Sequence, residues 1–422
     1  MIRRLMKLSR LYVVVVALWS AVSACGCGKN SQNGGTSGGD DPKPAPVENP
    51  ALVMASRLGL GWNLGNQMDS HNDGVAEETA WGNPKATQKL FDSLKAKGFS
   101  SVRIPVTWMG HIGEAPDYKV DEAWMNRVCE LVDYAEKAGL MVIINVHHDG
   151  ADSQYWLNVK EAAASRTSYN SITAEYRALW KQIALKFRDR GDFLIFEAFN
   201  ELHDGGWGWG TNLTDGGAQY AVINNWVQAF VDVVRETGGN NATRYLGIPG
   251  YCSNPDLTMN YLMLPDDSAD NRLMVAVHCY DPYDYTLDCK YDEWGHTALN
   301  NACPDGEESL VQLFARLMSK YVNRRIPVYF GETGCSNRSD ERQVAFQLYY
   351  LEYFYKACKD YGIAPFYWDN GVVGTGKETS AVLNHATGEY INNGQKMVEA
   401  MCRAISTEDE AYTLESVYNT AP

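Results

Sequence analysis

Eight short apolar runs, each followed by an amphipathic stretch, leave this chain few ways to fold. The runs are LGLGWNL (58–64), SVRIPV (101–106), MVIINVHH (141–148), FLIFEAFNE (193–201), YLGIPG (245–250), LMVAVHCY (273–280), IPVYFGE (326–332) and APFYWD (364–369). Between them lie ATQKLFDSLKAKG, AWMNRVCELVDYAEKAG, ITAEYRALWKQIALKFRDR and NNWVQAFVDVVRETGG, with apolar residues at i, i+3, i+4 spacing and several stops at Gly. Strands apolar on both faces belong to a parallel sheet covered by helices. Eight β-then-α units close most simply into a (β/α)8 barrel, the TIM-barrel architecture, in one domain spanning 51–405. An open doubly wound sheet is the alternative, but no G-x-G-x-x-G follows the first strand.

The flanks differ in texture. Residues 1–25 join a basic start, MIRRLMKLSR, to the apolar run LYVVVVALWSAVSA and then Cys25. The run is shorter than the ~20 residues of a membrane span. Val22-Ser23-Ala24-Cys25 resembles a bacterial lipobox. The expectation is a lipoprotein signal with Cys25 lipidated, an exported protein held by its anchor at the bacterial outer membrane or cell surface. Residues 26–50, rich in Gly and Ser and then in Pro, read as a tether. Residues 406–422 read as an acidic tail that lies on the surface or frays. Of ten cysteines, eight lie beyond the processed region without metal-site spacing, and Cys289 with Cys303 is the expected disulfide if one forms.

A formal net charge of −15 argues against nucleic acid or an anionic lipid surface as a partner, while a neutral ligand meets no such penalty. The chain is read as a monomer.

In a barrel of this kind chemistry collects at the C-terminal ends of the strands. Those ends carry Asn63 and Asn66, Arg103, His147-His148-Asp149, Asn200-Glu201, His278 and Tyr280, Glu332, and Trp368-Asp369. Glu201 and Glu332 end the fourth and seventh strands and face one another over the mouth. Two carboxylates flanking an acetal are what glycoside hydrolysis needs, one to donate a proton and one to attack or to activate water. Glu197 lies four residues earlier and deeper, so an internal partner such as Arg103 is expected for it. The His147-His148-Asp149 run raises metal catalysis as a competing chemistry, but the first strand offers no His to complete a metal site. Hydrogen bonding to sugar hydroxyls suits these His better.

Tryptophan points the same way. Trp81, Trp108, Trp156, Trp207, Trp209, Trp294 and Trp368 fall at strand ends or in the following loops, where aromatic faces can stack on pyranose rings, with two or three expected to pack on loop backbone instead. Trp124, Trp180 and Trp226 fall in helical segments and are expected in the core.

The motifs GWNLGNQMD, ETAWGNP, VRIPVTW, VIINVHHD, FEAFNEL, HCYDPYDYT, PVYFGETG and FYWDNG, in this order over roughly 55–375, resemble glycoside hydrolase family 5, and most of all its subfamily 4. The resemblance implies a (β/α)8 barrel, retention of configuration, no cofactor, and endo-cleavage of β-1,4-linked plant glucans such as cellulose-like glucan, mixed-linkage glucan or xyloglucan. It makes Glu201 the acid/base and Glu332 the nucleophile. It places Arg103, His147, Asn200, His278, Tyr280 and Trp368 at the family's remaining active-site positions, and His148, Asn66, Trp108 and Trp209 are expected to join them in support or substrate binding. Arg103 and Tyr280 are then expected to donate to Glu332, Asn200 to meet a sugar 2-hydroxyl, and Glu201 to have a raised pKa from the facing charge. Leu202 and Thr333 depart from the family's usual Pro and Phe beside the catalytic acids, which bears on specificity. A mannanase or xylanase with the same machinery, or a non-catalytic glycan-binding lipoprotein, are the other readings.

Overall fold

The computed structural model describes residues 49–206 and 217–422. The eight apolar runs become eight parallel strands: β1 (Gly61–Leu64), β2 (Ser101–Ile104), β3 (Met141–Ile144), β4 (Leu194–Glu197), β5 (Leu246–Pro249), β6 (Leu273–Cys279), β7 (Val328–Thr333) and β8 (Ile363–Asp369). Each pairs with its neighbours in chain order, and β1 pairs with β8 to close the barrel. The strands are followed in turn by helices Gln88–Ala96, Glu122–Ala138, Arg166–Lys186, Ala218–Glu236, Pro255–Tyr261, Glu307–Lys320, Glu341–Tyr361 and Gly394–Ser406. Local chemistry marks their ends. Asp121 accepts from the amides of Ala123 and Trp124, and Gly139 leaves the same helix at φ 75°. None of the described helices is long and apolar enough to cross a membrane.

The barrel is plugged from below by helix Pro50–Leu58. Its Ala51, Met54, Ala55 and Leu58 pack with Ile143, Ile195, Met274, Ala276, Tyr329 and Phe366. The upper interior is polar. Two glycines make room for this layering. A Cβ on Gly61 would lie 2.3 Å from the Phe366 ring, and one on Gly247 would lie 2.1 Å from the Tyr329 hydroxyl.

Several apolar runs outlast their strands. β4 ends at Glu197, although Ala198 and Asn200 still donate backbone bonds to Gly247 and Val146. The rim segment Ala198–Glu201 is thereby held beyond the sheet.

One expectation is narrowed and another changes. Residues 406–422 lie on the surface, with Glu408, Asp409, Glu410 and Ala411 exposed, and do not fray. They form a helix, Leu414–Tyr418, capped by Thr413, while the Tyr418 ring stacks on His296 at 3.7 Å and the Tyr412 hydroxyl donates to Glu352 at 2.7 Å. Aromatic faces among the acids supply the docking. Nor is Cys289 bonded to Cys303: all eight described cysteines are free thiols. A carboxylate clasps that loop instead, since Glu293 accepts from the amides of Leu299 and Asn300 and from Arg342.

Candidate active site

The site is built in two tiers. In the lower, Arg103 on β2 is fully buried between Glu197 of β4 and Glu332 of β7, with Nη2 donating to Glu197 at 2.7 Å and Nη1 to Glu332 at 2.9 Å. It also donates to Asn63 Oδ1 and Asn200 Oδ1. Burial opposes its charge, but the two carboxylates outweigh burial and raise its pKa. Glu197 is itself 1% exposed and accepts additionally from Asn145 at 2.9 Å and Tyr329 at 2.7 Å. Its burial would favour the neutral acid, yet Arg103 holds its pKa below the ordinary carboxylate value. The internal partner expected for Glu197 is therefore present.

In the upper tier Glu332 accepts from Arg103 Nη1 on one oxygen and from the Tyr280 hydroxyl, at 2.9 Å, on the other. Glu201 stands across from it on the segment beyond β4, and ligand-type atoms of Glu201, His278 and Glu332 all lie within 4.8 Å of one another. The expected raised pKa of Glu201 is not found. Burial pushes it upward, but the His278 ring lies 2.5 Å away through Nδ1, and its charge and hydrogen bond bring Glu201 below the ordinary value. His278 moves the opposite way. Burial lowers its pKa, and Glu332 and Glu201 together more than restore it. The two shifts have one origin: at 2.5 Å the carboxylate and the imidazole each favour the charged form of the other, so the two groups titrate as a pair.

His147 is the uncharged imidazole of the site. Burial, then His148 and Arg103, drive its pKa well below the ordinary value. Asn145 Nδ2 donates to Nδ1 at 3.1 Å, which places the ring proton on Nε2, 4.0 Å from Glu332.

Above the two tiers opens a groove of about 760 Å³. Asn66, His147, His148, Asn200, Glu201, His278, Tyr280, Glu332 and Trp368 line it, as expected from the sequence, while Arg103 supports it from beneath. Trp368 lies parallel to His147 with centroids 5.9 Å apart. Trp81 joins at the edge, 41% exposed, beside His148. Trp108 does not belong to the groove. It is fully buried, donates to the Asn145 carbonyl at 3.1 Å, and takes Asp149 onto its own amide. Trp294 is likewise buried, among Tyr285, Tyr349, Tyr350 and Tyr353. Trp156 donates to Asp149 at 2.7 Å. Trp209 and Trp207, like Cys25, lie outside the described residues. Trp124, Trp180 and Trp226 are buried as expected.

Among the described residues, two sets of side chains bring possible metal-binding atoms together, Asp69 with His147 and His148, and Glu201 with His278 and Glu332. Protein hydrogen bonds account for the geometry of both. Asp69 accepts from the amides of Asn66 and Gln67, and the second set is the carboxylate–histidine pair beside the Arg103-held acid.

Asn145 and Tyr329 are the residues that sequence reading missed. Asn145 sits on the MVIINVHH run just before the histidines, so its polarity within an apolar run was the available signal. Tyr329 carried none, because a Tyr in a barrel strand is indistinguishable from packing until its hydroxyl is seen to reach Glu197.

Comparison with known proteins agrees with this geometry. The family model "Cellulase (glycosyl hydrolase family 5)" matches residues 66–374. Endoglucanase A of Paenibacillus barcinonensis is 36% identical over 343 residues, covering 77% of this chain and 83% of its own length. A solved Bacteroidetes-affiliated GH5 cellulase linked with a polysaccharide utilization locus superimposes with a TM-score of 0.87 at 49% identity, over 90% of this chain and 99% of that one. A GH5-4 broad specificity endoglucanase from Bacteroides salanitronis gives 0.83 at 56% identity, over 88% and 99%. With a closed barrel, facing carboxylates and a match over most of its length, this chain belongs to glycosyl hydrolase family 5.

Proposed function

We propose that the protein is a retaining, endo-acting β-1,4-glucanase of the subfamily 4 type, with Glu332 as nucleophile and Glu201 as acid/base. One observation carries the assignment: an oxygen of each carboxyl lies within 4.8 Å of the other, and Glu332 is the one held by Arg103 and Tyr280. Carboxyl oxygens this near one another accord with double displacement, for which the two carboxyls stand about 5–5.5 Å apart.

Each group then has a task. Glu332 attacks the anomeric carbon, with both its oxygens oriented beforehand by Arg103 and Tyr280. The leaving oxygen takes the proton of the Glu201–His278 pair through Glu201, and Glu201 later draws a proton from the incoming water. Asn200, its carbonyl oxygen held by Arg103, turns its amide toward the groove, where a sugar 2-hydroxyl would meet it. Trp368 offers the floor for the reacting ring.

Mixed-linkage glucan and xyloglucan are the first polymers to test, with viscosity expected to fall before reducing sugar accumulates. Azide tests the roles. Glu201→Ala with azide should yield the β-glycosyl azide, by attack on the covalent intermediate, and Glu332→Ala the α-azide. The reversed pairing would mean the roles are exchanged.

Lipid attachment at Cys25 and display on the bacterial surface belong to the same proposal, supported by the VSAC ending of a short apolar run. Cys25→Ala should move the protein out of the membrane fraction; an unchanged distribution would remove the anchor from the proposal.

A further inference from the structure

The loop after β5 supplies no group to the chemistry described above, yet it grips the segment that does. β4 ends at Glu197, and Glu201 stands four residues further on, past the sheet. On one side of this segment the Asn200 amide donates to the Val146 carbonyl at 2.9 Å. On the other side three consecutive residues meet it in antiparallel order. Ser253 Oγ donates to the Asn200 carbonyl at 2.9 Å, and the Cys252 amide donates to the Leu202 carbonyl at 2.8 Å. The Tyr251 hydroxyl donates to Asp204 Oδ1 at 2.5 Å and accepts from the Asp204 amide at 3.1 Å.

Two of these three residues hold a backbone that side chains disfavour. Cys252 has φ 53° and Ser253 φ 47°, both in the left-handed region, and neither is Gly. Such conformations persist where the surroundings over-determine them, and they gather at sites where position matters. Here the turn aims the Cys252 amide and the Ser253 hydroxyl at carbonyls on either side of Glu201. Gly250 lets the turn close on the following helix, since a Cβ there would lie 2.4 Å from Thr258 Oγ1. All three gripping residues are buried, so the grip is made away from competing water.

We propose that Ser253 is a positioning residue, whose hydrogen bond to the Asn200 carbonyl holds the Glu201 carboxyl where it can protonate the leaving oxygen. This rests on the reading of Glu201 as the acid/base. The Asn200 carbonyl belongs to the peptide that enters Glu201, so its direction sets the direction of the Glu201 side chain. A general acid works only within hydrogen-bond reach of its target, and a displacement of about 1 Å can cost on the order of 10²-fold. Arg103 holds the Asn200 side chain independently of Ser253, so loss of the hydroxyl falls on the Glu201 side of that residue.

The test compares kcat/KM on mixed-linkage glucan, whose leaving sugar needs a proton, with kcat/KM on 2,4-dinitrophenyl β-cellobioside, whose leaving group does not. The ratio of the first to the second should fall by about tenfold to a hundredfold in Ser253→Ala. Ser253→Gly should lower it to the same extent, because it lacks the hydroxyl although its backbone accepts the left-handed turn. Glu201→Ala should lower it further, and adding Ser253→Ala to that variant should change it no more, as expected for residues that act as a unit. Each ratio is taken within one preparation, so it does not depend on the folded fraction. A ratio unchanged in either Ser253 variant, or a further fall in the double variant, overturns the role of Ser253 while Glu201→Ala alone still lowers it. A ratio that Glu201→Ala leaves unchanged overturns the acid/base reading instead.

Discussion

Glu197 and Glu201 stand four residues apart on one segment, yet the fold treats them in opposite ways. Glu197 closes β4 and is 1% exposed, with Arg103, Asn145 and Tyr329 occupying its oxygens. Glu201 lies past the strand at the groove, with His278 as its close partner and space on its other side. A buried carboxylate saturated with donors serves to hold a cation in position, and has nothing left to offer a substrate. A carboxylate at the rim with one titratable partner can give up and regain a proton. The difference between structural and chemical roles is thus one of remaining valence, and charge or depth alone would not have separated them.

Substitution should separate them most strongly. Glu201→Ala should lower the rate on polysaccharide by about 10²–10⁴-fold, the usual range for a general acid–base group, with a smaller loss of stability than Glu197→Ala, because His278 can give up its proton when its partner is removed. Glu197→Ala should lose activity and also about 3–5 kcal/mol of stability in a denaturant titration, since it strands Arg103 in the interior. Equal stabilities for the two variants would erase the distinction.

The next test is the pH response of the upper pair. His278 has a folded pKa raised above its ordinary 6.5, so its stabilising contribution is complete below 6.5 and is lost as pH rises through the raised value. Glu201 has a folded pKa below its ordinary 4.5, so its contribution is complete above 4.5 and is lost as pH falls through the lowered value. The pair should therefore add most stability between these two ordinary values. On the proposed mechanism the proton of this pair is the one delivered to the leaving oxygen, so its loss would set the alkaline limb of activity. In His278→Asn the limb should move, because Glu201 then titrates without a cationic partner. An alkaline limb at the same pH in variant and parent would detach His278 from proton delivery.

Tyr329→Phe should have the smallest effect. It removes one donor from Glu197 and leaves Arg103 in place, costing about 1.5–3 kcal/mol as for a hydrogen bond to a charged group, with kcat affected far less than in Glu201→Ala. A large loss of kcat at unchanged stability would make Glu197 part of the chemistry after all.

The order and number of strands, the barrel closure, and the gathering of Asn200, Glu201, His278, Tyr280, Glu332 and Trp368 at one rim were all readable from the pattern of apolar runs. Most runs carry a candidate residue near the C-terminal end, and a parallel barrel brings those ends together whatever the details of packing. The partner predicted for Glu197 was readable too, because a buried acid needs a cation and Arg103 is the strand residue available. Direction of side chains was not readable. Trp108 follows one strand run and Trp368 lies near the end of another, yet the first enters the wall and the second the groove. That choice depends on which neighbouring backbone groups lack a partner, and those groups come from distant parts of the chain. Nor could local sequence show that His278 reaches Glu201 from 77 positions away and reverses the expected direction of its pKa. The same holds for the aromatic docking of the last residues and for the free thiols of Cys289 and Cys303. Periodicity along a chain determines which face is apolar and where strands end. Protonation, side-chain direction and valence are settled by neighbours in space, and only the closed barrel supplies those neighbours.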